Sequence, residues 1–197
     1  METTDKNKEN QICRALITSV DGEGYDFEAV AVPSENGQLR YSYENGEYFN
    51  QVLRTGKESI DSSRLDSGLP LFDNHPYDQS ALKVLGITVG YDFTERGIVI
   101  RAKFGARADE ALRSDVKTGI IKTVSIEGSI SNYEVKREAG KIPTYEASLW
   151  TPESLSFAPV PNDIGAQIEV KRALEKQLKG EPQPQPDSFI HSLIKKF

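Results

Sequence analysis

The chain is poor in the residues that most often carry chemistry. It has one cysteine, Cys13, among 197 residues. A single thiol excludes an internal disulfide framework and a thiolate metal cluster built within one chain. It has two histidines, His75 and His191, and His191 falls in the C-terminal tail. If the folded domain uses an imidazole near neutral pH, His75 is the candidate, because no other side chain has an unperturbed pKa there. No apolar run approaches the length that spans a membrane. Residues 1–10 are polar and lack the apolar segment of a secretory signal. An excess of positive charge is missing too. The net charge is −6, whereas neutralising the phosphates of a duplex needs clustered Lys and Arg. These absences point to a cytoplasmic chain with no membrane and no nucleic-acid partner. There is no phosphate-binding glycine loop followed by Lys-Ser/Thr, and no Gly-x-Ser-x-Gly elbow.

What is present is mostly strand. Hydrophobic residues make up 37% and charged residues 27%, which suits a globular domain with polar ends. The spacing predicts a disordered lead-in over 1–10, one domain over 11–179, a Pro-rich linker over 180–187 and a short amphipathic tail over 188–197. Strands are expected over Ile12–Val20, Tyr25–Val32 and Gln38–Tyr43, punctuated by Asp21-Gly22, Pro33 and Asn36-Gly37. Glu47–Arg54 reads as a short helix ended by Gly56, and Lys57–Gly68 as a polar loop. Leu85, Ile87, Val89, Tyr91 and Phe93 alternate with Gly86, Thr88, Gly90 and Asp92, which is the period of a half-buried strand. Ile98, Ile100, Ala102 and Phe104 repeat that period after a turn near Gly97, predicting a hairpin. Arg107–Lys117 is the strongest helix, with Ala108, Ala111, Leu112 and Val116 on one face and Gly119 to end it. A long strand follows over Ile121–Val135, bent at Gly128. Gly140–Trp150 and Glu153–Phe157 supply two more, and Ala166–Lys179 a second helix. The expected fold is mainly β with flanking helices, closed or nearly closed into a β-barrel.

Three places could carry chemistry. His75 lies in Leu71-Phe72-Asp73-Asn74-His75-Pro76-Tyr77, where it reads either as a turn residue beside Pro76 or as a general base. On Ile121–Ile130, pleat geometry sends Val124, Ile126 and Ile130 one way and Thr123, Ser125, Glu127 and Ser129 the other. That second face is either a solvent face or a reactive one. In the last strand Glu153 shares a face with Leu155 and Phe157, and Ser154 with Ser156. A carboxylate in register with two large apolar residues is either partly buried, and then needs a partner, or a frayed strand start in water. A metal site at Asp73, His75 and Asp78 is short of ligands.

Three ordered blocks resemble the prohead maturation proteases of tailed bacteriophages, which are distantly similar to the herpesvirus assembly protease. They are "LFDNHPYDQSALKVLGI", "VKTGIIKTVSIEGSI" and "ESLSFAPVPNDIGAQI", and the resemblance runs from about Phe27 to about Ile168. It implies a barrel like the herpesvirus protease and a serine endopeptidase that cleaves scaffold and capsid-protein segments. It assigns the nucleophile to Ser125, the general base to His75 and the third member to Glu153, with Ser129 as a reserve nucleophile. It implies no cofactor and no metal. Capsid and scaffolding proteins are the expected partners, the procapsid in the host cytoplasm is the expected place, and room is left for a homo-oligomer. Glu127 departs from the family, which often has Gly after Ser-Ile, and Asp163 departs after Pro-Asn. The alternative expectation is a non-catalytic barrel that acts in capsid assembly. In the tail, Phe189, Leu193 and Phe197 form a stripe that reads as a docking segment or as a disordered end.

Overall fold

A computed structural model describes residues 11–74 and 81–158. The lead-in, His75, the helix expected over Ala166–Lys179, the linker and the tail lie outside the described residues.

The described residues form nine strands. They are β1 (Gln11–Gly22), β2 (Tyr25–Pro33), β3 (Gln38–Ser42), β4 (Glu47–Leu53), β5 (Pro70–Asp73), β6 (Val84–Thr94), β7 (Gly97–Phe104), β8 (Thr123–Lys136) and β9 (Thr144–Phe157). Two α-helices, α1 (Ser63–Ser67) and α2 (Glu110–Lys117), lie between them, with 3-10 turns at Lys57–Ser59 and Ala81–Lys83. The strand order is β3-β4-β9-β5-β6-β7-β2-β1-β8, and β9 also pairs with β8. The chain is therefore mainly β around one large sheet with helices beside it. β3 has a single strand neighbour among the described residues, so the sheet as a whole keeps an edge and is not closed into a barrel.

β9 organises the sheet. Its first residues run parallel to β4, with Thr144 opposite Asn50 and Ala147 opposite Leu53. Its last residues run parallel to β5, with Leu71 opposite Leu155 and Asp73 opposite Phe157. Its other edge pairs antiparallel with β8 from Val124 to Lys136. One sheet face carries the apolar core: Phe27, Leu71, Ile98, Ile100, Val124, Ile126, Trp150, Leu155 and Phe157 are all buried. Phe27, Phe104 and Phe157 pack as a ring cluster with centroids 5.5 to 6.1 Å apart. The Trp150 indole N–H donates to the Arg54 carbonyl at 2.9 Å, so this large side chain is buried without an orphaned donor.

Five expectations are corrected. Glu47–Arg54 is strand β4, because Phe49, Gln51 and Leu53 are buried in alternation with half-buried neighbours, a period of two. Within Lys57–Gly68 the chain forms a 3-10 turn and α1, whose Leu65 is buried. The two last strands are one, β9, which runs through Pro152. Proline is tolerated there because the ladder shifts register: Glu127 pairs with Ser154 and Gly128 with Pro152, leaving Glu153 as the extra residue. In β6 the five apolar residues do not share a face. The register shifts between Thr88 and Gly90, so Ile87 and Val89 are exposed while Tyr91 and Phe93 pack on the core. A one-residue bulge moves every later side chain to the other face. α2 begins later than expected, at Glu110. The Asp109 carboxylate accepts from the Leu112 N–H at 2.8 Å as its N-cap.

Candidate functional site

β8 sits between β1 and β9. Arg14 on β1 and Ser156 on β9 are the cross-strand partners of Ser125. The side chains of Val124 and Ile126 go into the core. By alternation Thr123, Ser125, Glu127 and Ser129 go to the other face, together with Ser154 and Ser156 of β9. That face is not a solvent face at its centre: Ser125 and Ser156 are each 0% exposed and Ser154 is 7% exposed. Phe72 of β5, also buried, is the neighbour of Ser156 on the far side.

The hydroxyls along this seam are satisfied one after another, with one gap. Thr123 Oγ1 donates to the Ala158 carbonyl at 2.8 Å. Ser154 Oγ donates to Glu127 Oε2 at 3.3 Å. Ser129 Oγ donates to Glu153 Oε1 at 3.0 Å. At the rung between these pairs, the Ser125 and Ser156 hydroxyls are buried and neither has a hydrogen-bond partner among the described residues. Buried hydroxyls without partners are uncommon, because leaving one costs its full desolvation penalty, about 1–3 kcal/mol. Two such groups facing each other across one rung make this the chemically distinctive spot of the sheet.

Of the expected site residues, Ser125 stands at this rung. Glu153 is half-buried, as one reading of the sequence had it. It lies in the middle of a strand rather than at a frayed start, and a hydroxyl partners it rather than a His or Arg. The same bond ties up Ser129, the reserve nucleophile. His75 lies outside the described residues, as does Asp78 of the alternative metal reading. The chain leading to His75 is described as far as Asn74, a residue of positive φ (64°) whose N–H donates to the Phe157 carbonyl at 3.1 Å. Among the described residues no group of three or more His, Cys, Asp or Glu is placed to hold a metal ion. No helix among them is long and apolar enough to cross a membrane.

Sequence reasoning put Ser154 and Ser156 on one face but did not join them to Ser125. The signal was available in principle. Two strands with serines at every second position, Ser125-Glu127-Ser129 and Ser154-Ser156, would form one polar seam if paired antiparallel. The register could not be read, because the sequence was divided into separate strands at Gly140–Trp150 and Glu153–Phe157.

No family model, no curated protein and no solved structure matches this chain.

Proposed function

We propose that the chain is a serine endopeptidase that cleaves scaffold and capsid-protein segments during the maturation of a viral prohead. Ser125 is its nucleophile and His75 its general base. The observation that carries this reading is the Ser125 hydroxyl, fully buried and without a partner among the described residues, on a face where the Thr123, Ser129 and Ser154 hydroxyls are bonded. A serine hydroxyl is a weak nucleophile until a base accepts its proton. An unpaired hydroxyl is free to take that base as its partner. The path of β5 lends further support. Phe72 pairs with Ser156, Ser156 pairs with Ser125, and His75 follows Asn74 in sequence. Glu153 is retained as the third member by the resemblance alone, since its observed partner is Ser129. A barrel like that of the herpesvirus protease belongs to the same proposal. Its support is that β9 pairs with β8 as well as with β5, so both ends of the order β5-β6-β7-β2-β1-β8 meet on one strand. The substrates are capsid and scaffolding proteins, and the place of action is the procapsid in the host cytoplasm.

The test is cleavage of a co-expressed scaffold protein, with Ser125→Ala as the variant. Loss of cleavage by at least about 10³-fold supports the assignment, in line with the cost of removing a nucleophile. Intact cleavage by the alanine variant sinks it. One observation favours a second reading, a non-catalytic assembly protein: Ser125 is 0% exposed, so a substrate reaches it only if its cover moves. A fluorophosphonate probe separates the two, because the enzyme labels at Ser125 and the assembly protein does not.

A further inference from the structure

Resting on the reading above, we propose that Ser156 is a catalytic residue of the same site: its hydroxyl donates to the oxyanion that forms when Ser125 attacks an acyl group. An oxyanion needs preorganised donors, and these are most often backbone N–H groups. Here the backbone around the nucleophile is already committed. β8 is paired on both edges, with β1 from Leu16–Thr123 to Gln11–Gly128 and with β9 from Phe157–Val124 onward. In a strand flanked on both sides the N–H groups are used in the ladders. A donor must therefore come from a side chain in reach of Ser125.

Ser156 meets that requirement. It is the direct cross-strand partner of Ser125, and directly opposed residues have Cβ atoms about 4.5–5.5 Å apart. Its hydroxyl is fully buried and donates to nothing among the described residues, so no bond described there has to break when charge develops. The other hydroxyls of the seam are taken. Thr123 donates to the Ala158 carbonyl, Ser154 to Glu127 and Ser129 to Glu153. The opposing charge is Glu127, two residues along β8 and thus roughly 6.6 Å away along the strand. Its carboxylate is engaged by Ser154 on the far side of the next rung, which leaves Ser156 the nearer group.

The step balances without an added reactant. A bond forms between Ser125 Oγ and the carbonyl carbon, and the hydroxyl proton passes to the general base. The carbonyl π pair moves onto oxygen, which accepts the hydrogen bond from Ser156. When the carbon–nitrogen bond breaks, the carbonyl re-forms and the proton goes to the leaving amine.

The experiment uses the full chain and a fluorophosphonate probe, measuring the maximal labelling rate and the half-saturating probe concentration. Ser156→Ala is expected to lower the maximal rate about 10²-fold or more, the cost of one lost oxyanion donor. The half-saturating concentration and the midpoint of the pH–rate profile should stay put, because the variant removes neither binding nor the base. A Ser156→Ala chain that labels within twofold of the original overturns the proposal while leaving Ser125 in place as nucleophile. Failure of the parent reading looks different, since the original chain then carries no label at Ser125. If Ser156→Ala loses the buried emission of Trp150, Ser156→Cys carries the test. It keeps nearly the same volume with a weak donor, and labelling by its folded form at the original rate overturns the proposal just as well.

Discussion

Removing the Ser125 or Ser156 hydroxyl should make this protein more stable. Each hydroxyl is fully buried and has no partner among the described residues, so folding strips it of water with no bond there in return. The cost of such a group is about 1–3 kcal/mol. Replacing Ser by Ala recovers that cost and forfeits the dispersion contacts of one oxygen, roughly 0.1–0.2 kcal/mol per atom pair over a few pairs. The net expectation is a gain of about 1 kcal/mol for each single substitution, or about 2–4 °C in Tm for a chain of this size. The two hydroxyls do not bond each other, so the double variant should gain about 2 kcal/mol, with a coupling within about 0.5 kcal/mol. Urea unfolding followed by tryptophan emission suits the test, because the single tryptophan, Trp150, is 0% exposed and in the core. The slope with urea should not change, since the surface exposed on unfolding is the same. A loss of about 1 kcal/mol or more in the Ser156 variant would mean that its hydroxyl has a partner in solution, and would refute the account of an orphaned rung, whereas the same loss at Ser125 alone would point to a bond with the proposed base, His75. A coupling above about 1 kcal/mol would mean that the two bond one another. Gain of stability with loss of activity is the expected signature of a group kept for function.

Two further outcomes follow from other parts of the sheet. Gly128 sits where β9 changes register, and a Cβ there would lie 2.4 Å from the Thr151 carbonyl oxygen; Gly128→Ala should therefore cost about 1–3 kcal/mol and lower the urea midpoint, and an unchanged midpoint would show that the backbone yields freely. Lys136 and then Arg54, both hydrogen-bonded to Glu146, hold its carboxyl below its ordinary value of 4.5. A depressed folded pKa gives stability that is present above 4.5 and lost as pH falls through the lower folded value. Glu146→Gln should lower stability at neutral pH by up to about 1 kcal/mol, since its partners are partly solvated. It should also flatten the fall in Tm below pH 4.5, and an unaltered acid limb would refute the linkage.

Much of the fold was legible where side-chain pattern and ladder agreed. Ile98, Ile100 and Ala102 alternate in sequence and all reach 0% exposure in β7. The stop after α2 was legible too, because Gly119 takes a positive φ of 75° that other residues resist. Misreadings fall at irregular places. Val89 in β6 and Glu153 in β9 are both extra residues in a ladder, and an alternation rule carried across a bulge assigns the wrong face. The helix expected over Glu47–Arg54 failed for a different reason. Its buried positions include Gln51, whose amide donates to the Tyr133 hydroxyl at 2.5 Å, and a buried Gln disguises a strand as a polar segment.

The candidate site shows the same limit at closer range. Ser125 could be singled out from one strand, because its position in that strand fixes its face. What makes it unusual is a relation between strands: an identical residue directly opposite, at a rung where neither hydroxyl finds a partner among the described residues. That rung lies in the regular ladder short of the bulge at Glu153, which sets the partners beyond it. A strand that ran straight through Pro152 would bring Glu153 opposite Gly128 and shift Thr151 and Pro152 by one rung, so the Ser129–Glu153 bond would have no reason to form. With the bulge, Glu153 reaches Ser129, Glu127 takes Ser154, and the Ser125–Ser156 rung alone is left open. The irregularity that hid the strand from sequence reasoning thus gives Ser129 its partner, while the open Ser125–Ser156 rung stands in the regular ladder beside it.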